Sequence, residues 1–224
     1  MQLEPDRSPP GTAHTIQVPA CIPVFPLPNV VFFPRMYLPL HIFEARYREM
    51  IADAVTGERY VGMALLKEGW EQDYYGNPPI FNVGCVGRLV NVQKLADGRF
   101  NILLHGLARF EVRDQLFEKS YRQARIELKT GEADIALSPA VRSELVDLLE
   151  AYLGGCEETP QLRDLFRQDV DDEVLVNGLA TYLDLTPLDK QFLIEADSLL
   201  QRGRRLVDLL QFKLAERDGA KGWG

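Results

Sequence analysis

Cysteine is scarce in this sequence. Cys21, Cys85 and Cys156 are the only three, an odd number, far apart and without metal-ligand spacing. That excludes a disulfide scaffold and a cysteine-built metal site, and it reads as free thiols in a reducing, cytoplasmic setting. Long apolar runs are also missing: nothing reaches the roughly 20 residues that span a bilayer. The opening "MQLEPDRSPPGTAHT" has neither the basic start nor the apolar middle of a secretory leader. Basic charge is in deficit, with 25 Lys and Arg against 33 Asp and Glu and a formal net charge of −8. Nucleic acid is therefore not an expected partner, because phosphate binding draws most of its affinity from basic surfaces.

Catalytic signatures are equally thin. No G-x-x-x-x-G-K-[ST] phosphate loop occurs anywhere. The glycine-bearing string "VGCVGRL" (83–89) has no lysine and lies in a strand pattern, so it predicts a strand bulge rather than a phosphate cradle. Its G-x-x-G lacks the basic flanks of a KH-type loop. Only His14, His41 and His105 are present. His41 and Glu44 have the types of an acid–base pair, but with no nucleophile or metal beside them they read better as part of a strand-to-helix corner held by Glu44 and Arg46. Asp171, Asp172 and Glu173 fit a helix start, where acids complement the dipole, better than a metal site. No catalytic residue, metal or cofactor is expected.

What the sequence has in abundance is "IPVFPLPNVVFFPRMYLPLHIFEARYREM" (22–50). As far as Leu40 it is crowded with large apolar side chains and interrupted by Pro23, Pro26, Pro28, Pro34 and Pro39. Proline gives no N–H to a ladder and belongs at strand edges, starts or bulges. From Phe43 the period changes: Phe43, Tyr47, Met50, Ile51 and Ala54 share one face of a helix, Glu44 and Arg48 are spaced for an ion pair, and Gly57 is the expected stop. Further strands are predicted at 59–67, at 83–95 and 99–107 as a hairpin about Asp97-Gly98, and onward to "ARIELK". The stretch 68–79 reads as a loop.

After "TGEADIALSP" the chain turns helical. Ser138-Pro139, Thr159-Pro160, Asp171 or Asp172, Thr186-Pro187 and Ser198 with Gln201 mark successive starts, each followed by a single apolar stripe. The run "QRGRR" (201–205) reads as a solvated helix face, and residues after 214 should fray. The expected organisation is a disordered tail over 1–19, a β-rich unit over 20–130, a helical subdomain over 131–214 and a flexible tail over 215–224. The fold class is α+β.

These residues carry a family likeness. P-x-x-P-L (Pro26 and Leu27 close it), V-x-F-P (ending Phe33 and Pro34) and P-L-x-x-F-E-x-R-Y (Pro39, Leu40, Phe43, Glu44, Arg46, Tyr47) resemble the amino-terminal, substrate-binding domain of the Lon protease. The "VGCVGRL" strand, the D-G-R turn, "HGLARF" and "KQFLIEAD" follow in the family's order, so the likeness runs from about residue 20 to 214. It implies a small open twisted β-barrel, pseudouridine-synthase-like (PUA-like), followed by an α-helical bundle. It also implies that the motif residues are structural. The ATPase and Ser-Lys peptidase modules of full-length Lon relatives have no counterpart in these 224 residues. The function so implied is non-catalytic binding of exposed apolar segments of unfolded or partner polypeptides, linked to ATP-dependent proteolysis. Alternatives are an adaptor contacting a separate protease or chaperone and, less favoured, a PUA-like RNA-binding domain, with a hidden enzyme ranked lowest; a homo-oligomer is a further expected partner. Phe32, Met36 and Tyr37 are the expected peptide-binding side chains, left partly wet between the prolines, while Phe33 and Leu38 are assigned to the core.

Overall fold

The computed structural model describes residues 17–129, 136–154 and 170–221. The chain divides into two compact units, with the boundary between Lys129 and Thr130.

The first unit holds six strands in one mixed sheet: β1 (Cys21–Leu27), β2 (Tyr37–Ile42), β3 (Tyr60–Leu65), β4 (Val83–Lys94), β5 (Phe100–Leu116) and β6 (Gln123–Leu128). Their order is β2-β5-β4-β3-β1-β6, and β5 also pairs with β6. The ladder therefore runs β5-β4-β3-β1-β6 and returns to β5, with β2 attached to β5 from outside this circuit. Only β1 and β3 run parallel. Beneath the sheet, Ile22, Val24, Val86, Phe110 and Ala124 are buried together.

β1 lies between β3 and β6, but its two ladders occupy different halves: Cys21–Pro23 pair with β6 and Val24–Leu27 with β3. Pro23 and Pro26 therefore each have a paired strand on one side only, as the proline rule expects. Pro39 lies on an outer strand. Gly106 donates its N–H to the Met36 carbonyl (2.8 Å). Alternation along an antiparallel ladder then turns the backbone of Leu38, Leu40 and Ile42 toward β5, and that of Tyr37, Pro39 and His41 toward the free side. Pro39 withholds a donor only where no ladder partner waits.

The helix α1 (Ala45–Thr56) buries Tyr47, Met50, Ile51 and Ala54. Phe43, expected on that face, precedes the helix and is 62% exposed. Glu44, the residue before α1, pairs with Arg46 rather than Arg48 (3.2 Å). Gly57 follows α1 with an ordinary negative φ; the left-handed residue that redirects the chain into β3 is Arg59. "VGCVGRL" lies in β4 and contains a register shift between Val86 and Gly87, the bulge its pattern predicted. Gly98, in the turn between β4 and β5, has φ +84°.

Among its described residues the second unit has α2 (Pro139–Leu153), α3 (Asp172–Tyr182), α4 (Pro187–Ile194) and α5 (Leu199–Lys221). Ser138 caps α2 through Val141 N–H, Asp171 caps α3 through Glu173 N–H, and Thr186 with Asp189 forms a reciprocal capping box on α4. Asp172 binds Leu137 N–H and Arg142, and no cluster able to hold a metal occurs among the described residues. The "QRGRR" run needs correction. Arg202 is 2% exposed and donates to Asn177 Oδ1 (2.7 Å) and to the Leu193 carbonyl (3.3 Å), tying α5 to α3 and α4. The helix also continues past 214 to Lys221. The helix start at Thr159-Pro160, His14 and Cys156 lie outside the described residues. No helix among the described residues is long and apolar enough to cross a membrane.

Candidate polypeptide-binding face

The segment between β1 and β2 decides which early apolar residues meet water. Gly87 of β4 and Gly106 of β5 are register partners and together leave a notch in the sheet. Phe32 fills it: a methyl group on Gly87 would stand 2.8 Å from the Phe32 ring, and one on Gly106 would collide with the Phe33 carbonyl. Arg35 turns left-handed (φ 66°) and its N–H reaches the Gly106 carbonyl (2.9 Å). This tight return buries Phe32, Phe33, Pro34 and Met36 while Arg35 itself stays exposed.

Phe32 and Met36 are consequently 4% and 6% exposed, and Phe33 is fully buried. That corrects two of the three expected binding residues: Phe32 and Met36 are core. Tyr37, at the start of β2, is 57% exposed. Of the motif residues, Pro26, Pro34 and Tyr47 are buried, Leu27, Leu40, Glu44 and Arg46 are half-buried, and Pro39 and Phe43 are exposed.

What remains on the outside is a strip along β2. Tyr37, Pro39 and His41 point outward while Leu38, Leu40 and Ile42 turn toward the core. Tyr37 stacks on His105 of β5 at 4.7 Å, and His41 lies 6.3 Å from the Phe43 ring. His41 Nδ1 donates to Asn101 Oδ1 (2.7 Å), and Arg99 Nη1 donates to His41 Nε2 (3.3 Å), the tautomer those partners select. His41 is thus not paired with Glu44, whose oxygens are held by Arg46 and the Tyr74 hydroxyl. Burial, helped by the Arg35 charge, holds His105 below its ordinary pKa. The strip offers stacking and apolar contact and presents no nucleophile.

Comparison with known proteins follows the same line. Residues 21–211 match the family of the ATP-dependent protease La (LON) substrate-binding domain. The chain belongs to that family. It is 28% identical over 216 residues to a Lon protease of Anaeromyxobacter dehalogenans and 27% identical over 210 to Lon protease 2 of Myxococcus xanthus. Those alignments cover 95% and 92% of this chain but 25% of each protease, so the chain spans about a quarter of these relatives. Two solved structures share the fold, each with a TM-score of 0.62 over 85% of this chain: a Lon N-terminal domain protein from Xanthomonas campestris (21% identity, 97% of that chain) and the N-terminal domain of a Mycobacterium avium complex Lon protease (17%, 98%). The matched region is the non-catalytic substrate-binding domain, with no ATPase or peptidase domain in the match.

Proposed function

We propose that this Lon-type domain is a polypeptide-binding module whose contact surface is the outward face of β2, centred on Tyr37 with Phe43 at its end. One observation carries the reading: in a family defined by substrate binding, Tyr37, Pro39 and His41 form an exposed row on an outer strand, with exposed Phe43 just beyond its end. Aromatic side chains suit tolerant contact with unrelated apolar segments. The strand ladder, which returns to β5, supports reading the sheet as a small PUA-like barrel. The two compact units support a β-rich domain followed by a helical one. Unfolded or partner polypeptides are the proposed ligands, in service of a protease acting in the cytoplasm.

Magnitude limits the strength of such contact. Burying about 300 Å² of apolar surface at roughly 25 cal/mol per Å² gives about 7–8 kcal/mol gross. Association costs of about 4–15 kcal/mol offset most or all of it. A single module should therefore bind on the order of tens of micromolar to millimolar.

The test is retention of a chemically denatured model protein on immobilised domain. Tyr37→Asp is expected to abolish retention while the melting temperature stays within about 2 °C, the usual range for a surface change. Unchanged retention by Tyr37→Asp would place the contact surface elsewhere.

A further inference from the structure

The first unit contains a second feature, separate from the β2 strip. The side chain of Arg122, just before β6, is nearly withdrawn from water, at 5% exposure. Its Nη2 donates to the Pro78 carbonyl (2.7 Å). Its Nε and Nη1 are covered and have no hydrogen-bond partner among the described residues. The Phe117 ring lies 5.8 Å from the guanidinium carbon, a contact that only partly replaces lost hydration. Arg122 lines a cavity of about 120 Å³ walled by Pro26, Tyr47, Tyr74 and Tyr121.

Arg46 and Lys119, the other cations lining the cavity, already have carboxylate partners, and among the described residues no ion pair reaches Arg122. Glu44 holds Arg46 and the Tyr74 hydroxyl. Asp53 takes Lys119 (3.0 Å) and the Tyr121 hydroxyl (2.8 Å). Glu49 accepts from Ser120 (2.7 Å). Burial, foremost, lowers the Arg122 pKa; Tyr47 opposes this and the Arg46 charge adds to it. Arginine nonetheless stays protonated in proteins. A buried charge without a counter-charge is costly and is normally paired, so one positive charge in this cavity lacks its partner.

We propose that the Arg122 cavity is a binding site for a carboxylate. One unmatched cation calls for a monoanion. A guanidinium offers a carboxylate two parallel hydrogen bonds along an edge that includes Nη2, and Nη2 keeps a second N–H beside the one it gives to the Pro78 carbonyl. At about 120 Å³, well above what one water needs, the space takes a carboxylate with a short organic stub. The acid is either a small free one or the C-terminus of a polypeptide, and the chemistry at Arg122 is shared. Neither Tyr37 nor Phe43 lines the cavity, so the site stands or falls independently of the β2 surface.

The experiment follows the Arg122 Nε–H resonance by ¹⁵N NMR during titration with propionate, with propionamide, and with the tripeptide Gly-Gly-Ala as free acid and as C-terminal amide. A saturable shift with both acids and none with either amide is expected. Saturation by the tripeptide acid at least about tenfold below propionate assigns a polypeptide C-terminus; equal or weaker binding assigns a free acid. Arg122→Met should lose the binding and, with no ligand present, melt at the same temperature or higher, since it removes an uncompensated charge. If Arg122→Met melts well below the parent, Arg122→Lys, which keeps the charge, should still bind propionate. No saturation by any carboxylate, equal shifts with the amides, or undiminished binding by Arg122→Met would overturn the proposal.

Discussion

At the scale of single residues, the early apolar stretch is governed by what sits opposite it. Phe32 and Met36 are as apolar as Tyr37, yet both are buried while Tyr37 stays outside; Gly87 makes room for the Phe32 ring and Gly106 for the Phe33 backbone. That partition was not legible in "VVFFPRMY", because the notch is cut by residues more than fifty positions away in the chain. Gly106→Ala would force the Phe33 backbone out of position and is expected to destabilise by at least about 1–3 kcal/mol, the range for overpacking, readable in urea unfolding. His105 supplies a pH-dependent prediction. Its folded pKa lies below the ordinary 6.5, so the unfolded chain takes up its proton first as pH falls. The stability His105 contributes as a neutral ring is intact above 6.5 and lost as pH drops through 6.5 toward the depressed value. A melting series over about pH 5 to 8 should slope less at its acid end in His105→Gln than in the parent. Arg202 looked like surface charge because its run, "QRGRR", shows no apolar pattern; only the meeting of three helices shows why it is buried. Replacing it with Ala leaves Asn177 Oδ1 without that donor in the interior and should cost about 1–3 kcal/mol, checked by chemical denaturation.

At the scale of elements, much was readable. Ser138-Pro139, Asp171 and Thr186-Pro187 announced three helix starts, and each side chain does accept a backbone N–H at its helix. Capping is chemistry within a few residues and so survives in sequence. Ser138→Ala should lower stability by about 1 kcal/mol, with the loss visible in thermal melts. The α1 face was legible for the same reason, except for Phe43, whose spacing matched while its backbone was not yet helical. Strand prolines were half legible. Pro39 follows the rule for unpartnered donors. Pro23 and Pro26 each face a paired strand on one side only, although that the two sides differ follows from the ladder's order rather than from local composition. Pro39 also leaves the outer side of β2 without one N–H, which discourages edge-to-edge pairing with another copy. Pro39→Thr should therefore raise the rate of aggregation on storage, followed by light scattering, with little change in monomer melting.

For the molecule as a whole, family and function class were carried by motifs 22–50, since P-L-x-x-F-E-x-R-Y fixes a corner that includes Glu44, Arg46 and Tyr47. The Arg122 cavity was invisible: nothing in "KSYRQ" distinguishes an arginine that lacks a counter-charge from one that has it. On the proposed weak single-site contact at β2, several copies held together should retain denatured chains far better than one. A tandem fusion of two domains is expected to gain about 10²-fold in apparent affinity when its linker spans both contacts, measured by surface retention against the single domain.

The position of β2 has one more consequence. Every other strand has two neighbours in a ring that ends where it began, but β2 leans on β5 alone. Its amides should swap hydrogen for deuterium well before those of β4 or the middle of β5. A peeled-back β2 would bare a ready-made docking rail without breaking the ring behind it.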